Sequence, residues 1–176
     1  QSFHRQKQKG DFNMNKGLIA LGAVVVVIII VVGGFFSLYN GLKESEISVD
    51  ASYGQVENQM QRRSDLIPNL VATVKQYITH ERELLENISA LRSGIQKAAG
   101  DEQRFALNGE LSNLISKLNV VVENYPELKA NENVMHLQKT LNDVEEQISA
   151  ARRAYNAAVT DYNNAVEMFP SNIVAS

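Results

Sequence analysis

The residues best equipped for chemistry in this chain are His80 and Glu81, which stand in the run His80-Glu81-Arg82-Glu83-Leu84. A histidine followed by a glutamate opens the zinc-hydrolase pattern H-E-x-x-H. There, two imidazoles one helical turn apart hold the metal and the glutamate acts as a base. Here the fifth position is Leu84, so the second imidazole is missing. The other histidines, His4 and His136, are remote in sequence, and a catalytic zinc needs three protein ligands. Cysteine is absent, which removes disulfides, thiolate ligands and thiol nucleophiles. The sequence holds neither a Gly-rich phosphate loop nor a G-x-S-x-G elbow. The expectation is a chain that is not an enzyme and uses no metal and no cofactor.

Glu81 draws attention for a second reason. If a helix runs through residues 67–97, a 100° wheel puts Glu81 inside its apolar stripe, among Val74, Ile78, Leu85 and Ile88. A carboxylate facing a core needs a partner or a proton. Arg62, Arg63 and Arg152 are the candidates. Arg152 itself shares a polar line with Gln138, Glu145, Asn156 and Asn163. Glu81, Arg152 and Glu145 therefore form a candidate buried polar network. Such a network either sets helix register as an internal ion pair or binds a partner, and the pattern favours the first.

The elements that would position these groups begin with residues 18–39, LIALGAVVVVIIIVVGGFFSLY, twenty-two in a row without a charge. As a helix they extend ~33 Å, enough to cross a hydrocarbon core of about 30 Å. A cleaved signal has a shorter apolar region of ~7–15 residues and small residues before the cut, so an uncleaved anchor is expected. Before the span lie Arg5, Lys7, Lys9 and Lys16 against Asp11 alone, a bias that keeps an N-terminus in the cytoplasm. Beyond residue 40 there are 13 basic and 19 acidic residues. That acidic balance argues against nucleic acid, whose phosphates need a basic face. Gly33, Ser37 and Gly41 recur every four residues, a small-xxx-small line on which spans can approach each other in lipid.

Four helical segments are expected after the span. The first covers about residues 43–64 and is ended or kinked by Pro68, which lacks an N–H and clashes one turn back. The second covers about 67–97, with apolar positions spaced by three and four. The third covers about 101–124, with Leu111, Leu114, Ile115, Leu118, Val121 and Val122 on one side. Asn131 then reads as an N-cap. The fourth carries a heptad seam from Val134 through Leu141, Val144, Ile148, Ala151, Tyr155, Ala158, Tyr162 and Ala165 to Phe169, and stops at Pro170. Short loops imply antiparallel neighbours. The predicted fold is all-α: a transmembrane helix followed by an elongated antiparallel bundle of about four long helices. The domains are a basic arm at 1–16, a span at 17–42 and an extracytoplasmic bundle at 43–176.

Arg62-Arg63-Ser64-Asp65-Leu66-Ile67-Pro68-Asn69-Leu70-Val71 resembles the R-R-x-D-L-I-P-N-L-V hallmark of the LemA family. Met14-Asn15-Lys16-Gly17 resembles that family's start, which sets residues 1–13 apart as an additional arm. Tyr125-Pro126-Glu127-Leu128-Lys129-Ala130-Asn131, Arg152-Arg153-Ala154-Tyr155-Asn156 and Phe169-Pro170-Ser171-Asn172 follow in the family's order. The resemblance implies a bacterial, single-span, N-terminally anchored helical bundle, and a short further tail after the F-P-x-N segment. It carries no defined activity. Within the hallmark, Arg62 and Asp65 are placed to pair, Pro68 to break the helix, and Asn69 to cap freed backbone groups; Arg63 belongs to the same corner. The corner is either structural or a docking surface.

The functional expectation is a structural or interaction protein of the bacterial cytoplasmic membrane, with membrane lipid, a second copy and an envelope protein as partners. An accessory subunit of another membrane machine, such as a protease or envelope-stress complex, is the alternative. A secreted bundle released by cleavage is a third reading.

Overall fold

The computed structural model describes residues 2–78 and 80–175, with side chains described from Gly17 onward. The basic residues of the N-terminal arm therefore lie outside the described side chains. Among the described residues six helices follow one another: α1 (Ser2–Val74), α2 (Arg82–Lys97), α3 (Asp101–Glu123), α4 (Pro126–Lys129), α5 (Glu132–Glu167) and α6 (Asn172–Ala175). The all-α bundle expected from the apolar spacing is what forms. The chain divides into two compact units, Gln1–Ser48 with Val159–Ser176, and Val49–Ala158.

In the unit Val49–Ala158, four long helical stretches pack side by side. The pairs Tyr53–Tyr155, Arg63–Glu145 and Tyr77–Asn131 climb one helix as they descend the other, so α1 and α5 are antiparallel. The same holds for α3 and α5 through Phe105–Arg152, Ser112–Glu145 and Asn119–Gln138. α2 folds back along α1, with Arg92 reaching Ser64. Two apolar clusters make the core. The larger holds Ile67, Leu70, Ile88, Leu111, Leu118 and Leu141 among others, and Leu128 of α4 is fully buried in it. The smaller holds Val56, Met60, Val144 and Ile148, bordered by Phe105 and Tyr155. Each such side chain removed from water is worth about 1.5–3 kcal/mol, and without disulfides this burial carries the domain.

The ends are capped as their residues dictate. Asn131 Oδ1 accepts from the backbone N–H of Asn133 at 3.0 Å and of Val134 at 3.2 Å, the expected N-cap. Its amide also donates to the Tyr77 hydroxyl at 3.0 Å, tying the start of α5 to the chain leaving α1. Tyr125 is extended before Pro126, which takes the first position of α4.

Three expectations are corrected. Span and first body helix are not separate elements, because α1 runs without interruption through residues 40–42. Pro68 does not end or visibly begin a helix; it lies inside α1 on its exposed side. The helix expected over 67–97 is therefore two pieces, and α2 begins only at Arg82. The α5 seam is buried or half-buried from Val134 to Ala165, but α5 ends at Glu167 and Phe169 is 79% exposed.

In the unit formed by Gln1–Ser48 and Val159–Ser176, the apolar stretch of α1 is uncovered. It is long and apolar enough to cross a membrane, and its most apolar window is 0% buried by protein. Leu38 and Leu42 are half-buried, as are Tyr162, Ala165 and Val166 of α5.

Candidate functional site

On α1, residues 60, 63, 67, 70 and 74 recur at steps of three and four, and all five are buried. Four are apolar. The fifth is Arg63, only 1% exposed, between Met60 of the small cluster and Ile67 of the large one. The hallmark thus threads a guanidinium into the junction between two apolar cores.

The guanidinium is surrounded by acceptors from α3 and α5. Nη1 donates to Glu145 Oε2 and to Ser112 Oγ, both at 2.6 Å. Nη2 donates to the Asn108 carbonyl at 3.0 Å and to Asn108 Oδ1. Ser112 Oγ in turn lies 3.0 Å from Glu145 Oε1 and 3.1 Å from the Asn108 carbonyl, either of which can take its proton. Asn108 is itself 2% exposed and keeps its orientation by donating to the Arg104 carbonyl. Glu145 is different: its side chain is 42% exposed, so one end of the ion pair is dry and the other wet. Burial pulls the Arg63 pKa below the usual guanidinium value, while Glu145 pulls it up. Guanidinium remains charged at any physiological pH. Nε has no hydrogen-bond partner among the described residues.

Pro68 completes the arrangement. A proline inside a helix leaves the carbonyl four residues back without its N–H donor, which here is Ser64. Arg92 of α2 fills that role, its Nε donating to Ser64 O at 2.8 Å. The helix survives its proline because a neighbouring helix supplies the missing donor. The expected role of Asn69 as cap is not what forms; its carbonyl accepts from Thr73 Oγ1 at 2.8 Å, and the residue is exposed. Arg62 and Asp65 do not pair with each other either. Arg62 donates to Gln147 at 3.4 Å and Asp65 accepts from Gln61 at 2.8 Å.

The expected polar network is redistributed. Glu145 belongs to it, with Arg63 as its partner. Arg152 lies over the Phe105 ring at 5.2 Å from its centroid, a cation–π contact beside the smaller core. Glu81 is in neither place. It is the residue before α2, half-buried, and no ion pair involves it among the described residues. The wheel that put it in a core required a continuous helix, and the break after Val74 resets the register. His80 and His136 are both exposed, and no group of three potential metal ligands converges among the described residues.

Arg63 is expected from the sequence as part of the hallmark corner but not as a buried residue, and Asn108, Ser112 and Arg92 are not expected there. The signal for Arg63 was present in the spacing Met60–Arg63–Ile67, once α1 is carried through Pro68. On the apolar stretch of α1, Gly33 and Gly41 have open space where a Cβ would stand.

The geometry defines a class: a helical bundle with an arginine-centred polar layer, whose first helix also bears a long uncovered apolar stretch. The chain belongs to the LemA family, whose model matches residues 52–176. Among its relatives is the magnetosome protein MamQ 2 of Paramagnetospirillum magneticum, 25% identical over 163 residues that cover 78% of this chain and 60% of that protein. The magnetosome protein MamQ of Magnetospirillum gryphiswaldense is 24% identical with the same coverage. Protein LemA of Metamycoplasma hominis is 24% identical over 137 residues, 77% of this chain and 63% of that one. The chain thus spans about three-fifths of the length of these relatives.

Proposed function

We propose that this chain is a membrane-anchored, non-catalytic structural or interaction protein of the bacterial cytoplasmic membrane. One observation carries the reading: residues 18–39 form helix with no charge, and the most apolar window of that helix has no protein over it. In water, so long an exposed apolar stretch has no stable surroundings, and a bilayer provides them. Arg5, Lys7, Lys9 and Lys16 support a cytoplasmic N-terminus, which puts the bundle on the outer side. The Gly33–Ser37–Gly41 line, with its open space, is where copies of the chain would meet in lipid. The buried polar layer supports a rigid body rather than a reaction centre, because its ion pair and the hydrogen bonds of Ser112 and Asn108 close on one another. An envelope protein is the partner such a body would hold. Alkaline phosphatase and a cytoplasm-only fluorescent protein, each fused after residue 176, test the orientation. The reading expects phosphatase activity without fluorescence, and the reverse pattern overturns it.

A further inference from the structure

Past Glu167 the chain leaves α5 through Met168-Phe169-Pro170-Ser171 and enters the one-turn helix α6. From Met168 to Ala175 no side chain carries a charge. Met168, Phe169 and Ile173 are 63%, 79% and 65% exposed. A lone exposed apolar residue is ordinary, but three large ones within six positions make a patch that calls for a covering surface. The segment is not loose apolar chain, because Val174 and Ala175 are half-buried while Phe169 and Ile173 face out. One side of it is docked and the other is bare.

Its surroundings indicate what covers the bare side. Residues 159–176 belong to one compact unit with residues 1–48, the stretch that holds the apolar span. In that unit Leu38 and Leu42 are half-buried, whereas Phe35, Phe36 and Tyr39 are exposed at the end of the span. A tyrosine in that position sits at the level of lipid headgroups. The bare apolar patch is therefore part of the same compact unit as a helix end that belongs at the membrane interface. We propose that Met168, Phe169 and Ile173 insert into the interfacial layer of the bilayer that the span crosses, giving the chain a second foothold in the membrane. This rests on the membrane reading of residues 18–39. The absence of charge makes the contact apolar rather than ionic, so zwitterionic lipid suffices and salt does not release it.

The chain contains no cysteine, so one introduced cysteine is a unique labelling site. The full chain is reconstituted in phosphatidylcholine vesicles as Phe169→Cys, Ile28→Cys or Val120→Cys, each labelled with an environment-sensitive fluorophore and checked for native helical circular dichroism. Quenching is read with iodide in the water, and with lipid nitroxides near the headgroup end or the methyl end of the acyl chain. The proposal expects the label at 169 to be quenched by the headgroup-end nitroxide and shielded from iodide. The label at 120, which is exposed on α3, should respond to iodide alone. Iodide quenching at 169 without lipid quenching overturns the proposal, and so does shielding from both, which would mean that protein covers the patch. The label at 28 separates the two levels of the account. If lipid quenches 28 but not 169, only the second foothold fails; if lipid does not quench 28, the membrane reading fails with it.

Discussion

Truncating Glu145 should destabilise the bundle more than truncating the buried arginine it serves. In Glu145→Ala the Arg63 guanidinium keeps Ser112 and Asn108 but loses the one anionic acceptor it has among the described residues, while remaining 1% exposed. Breaking a buried pair in this way costs about 3–5 kcal/mol, because a charge is left without compensation. The 42% exposure of Glu145 means that water already screens part of the pair, which puts the expectation near the lower bound, about 3 kcal/mol. Arg63→Met is the instructive contrast. It removes the charge from the dry side and lets Glu145 turn to water, and the methionine fills the space of the arginine stem. The main orphan is Asn108 Oδ1, a buried acceptor worth about 1–3 kcal/mol. The two costs should also fall well short of adding in the double variant Arg63→Met with Glu145→Ala, since each single change already removes the pair. Urea unfolding of the full chain in mild detergent, followed by helical circular dichroism, measures all three. The reasoning is refuted if Glu145→Ala costs less than about 1 kcal/mol, the value of an exposed pair, or if it costs less than Arg63→Met.

Three further outcomes follow from particular contacts. Arg92→Met removes the donor to the Ser64 carbonyl and should cost about 1.5–3 kcal/mol; in a Pro68→Ala background, where a backbone N–H returns to that carbonyl, the cost should shrink, and equal costs in both backgrounds would disprove the compensation. Burial, and then the hydrogen bond to Asp101 and the charge of Glu57, push the Tyr53 pKa up to about 12 from 10.0. Its folded pKa is the higher one, so its contribution is complete below pH 10 and is lost as pH rises toward about 12; Tyr53→Phe should remove the late step from an ultraviolet titration of the six tyrosines, and an unchanged titration curve contradicts this. Gly33→Leu with Gly41→Leu should abolish energy transfer between differently labelled copies in vesicles, and undiminished transfer excludes that line as a contact.

Features that local pattern controls were legible in the sequence. The long apolar helix followed from length and absence of charge, the beginnings of α3 and α5 from turn residues and the Asn131 cap, and the bundle from three–four spacing. What failed depended on a distant partner. Pro68 looked like a helix end because the donor that rescues Ser64 lies 28 residues further on, in another helix. Once that break was misplaced, the register of residues 67–97 was carried through the true break between Val74 and Arg82, and Glu81 was assigned to a core it does not enter. The same error hid Arg63, whose burial is plain only if residues 60 to 74 share one helix. Asn108 and Ser112 gave no local signal, since a polar residue on a helix is usually solvated and only the fold turns these two inward.

Residues 18–39 are proposed to hold the chain in a lipid bilayer. Alkaline carbonate extraction of membranes from cells producing the full chain tests that proposal most directly, with the same chain lacking residues 18–39 run alongside. The full chain should stay with the sedimented membranes while the shortened one is released. Release of the full chain into the supernatant would contradict it.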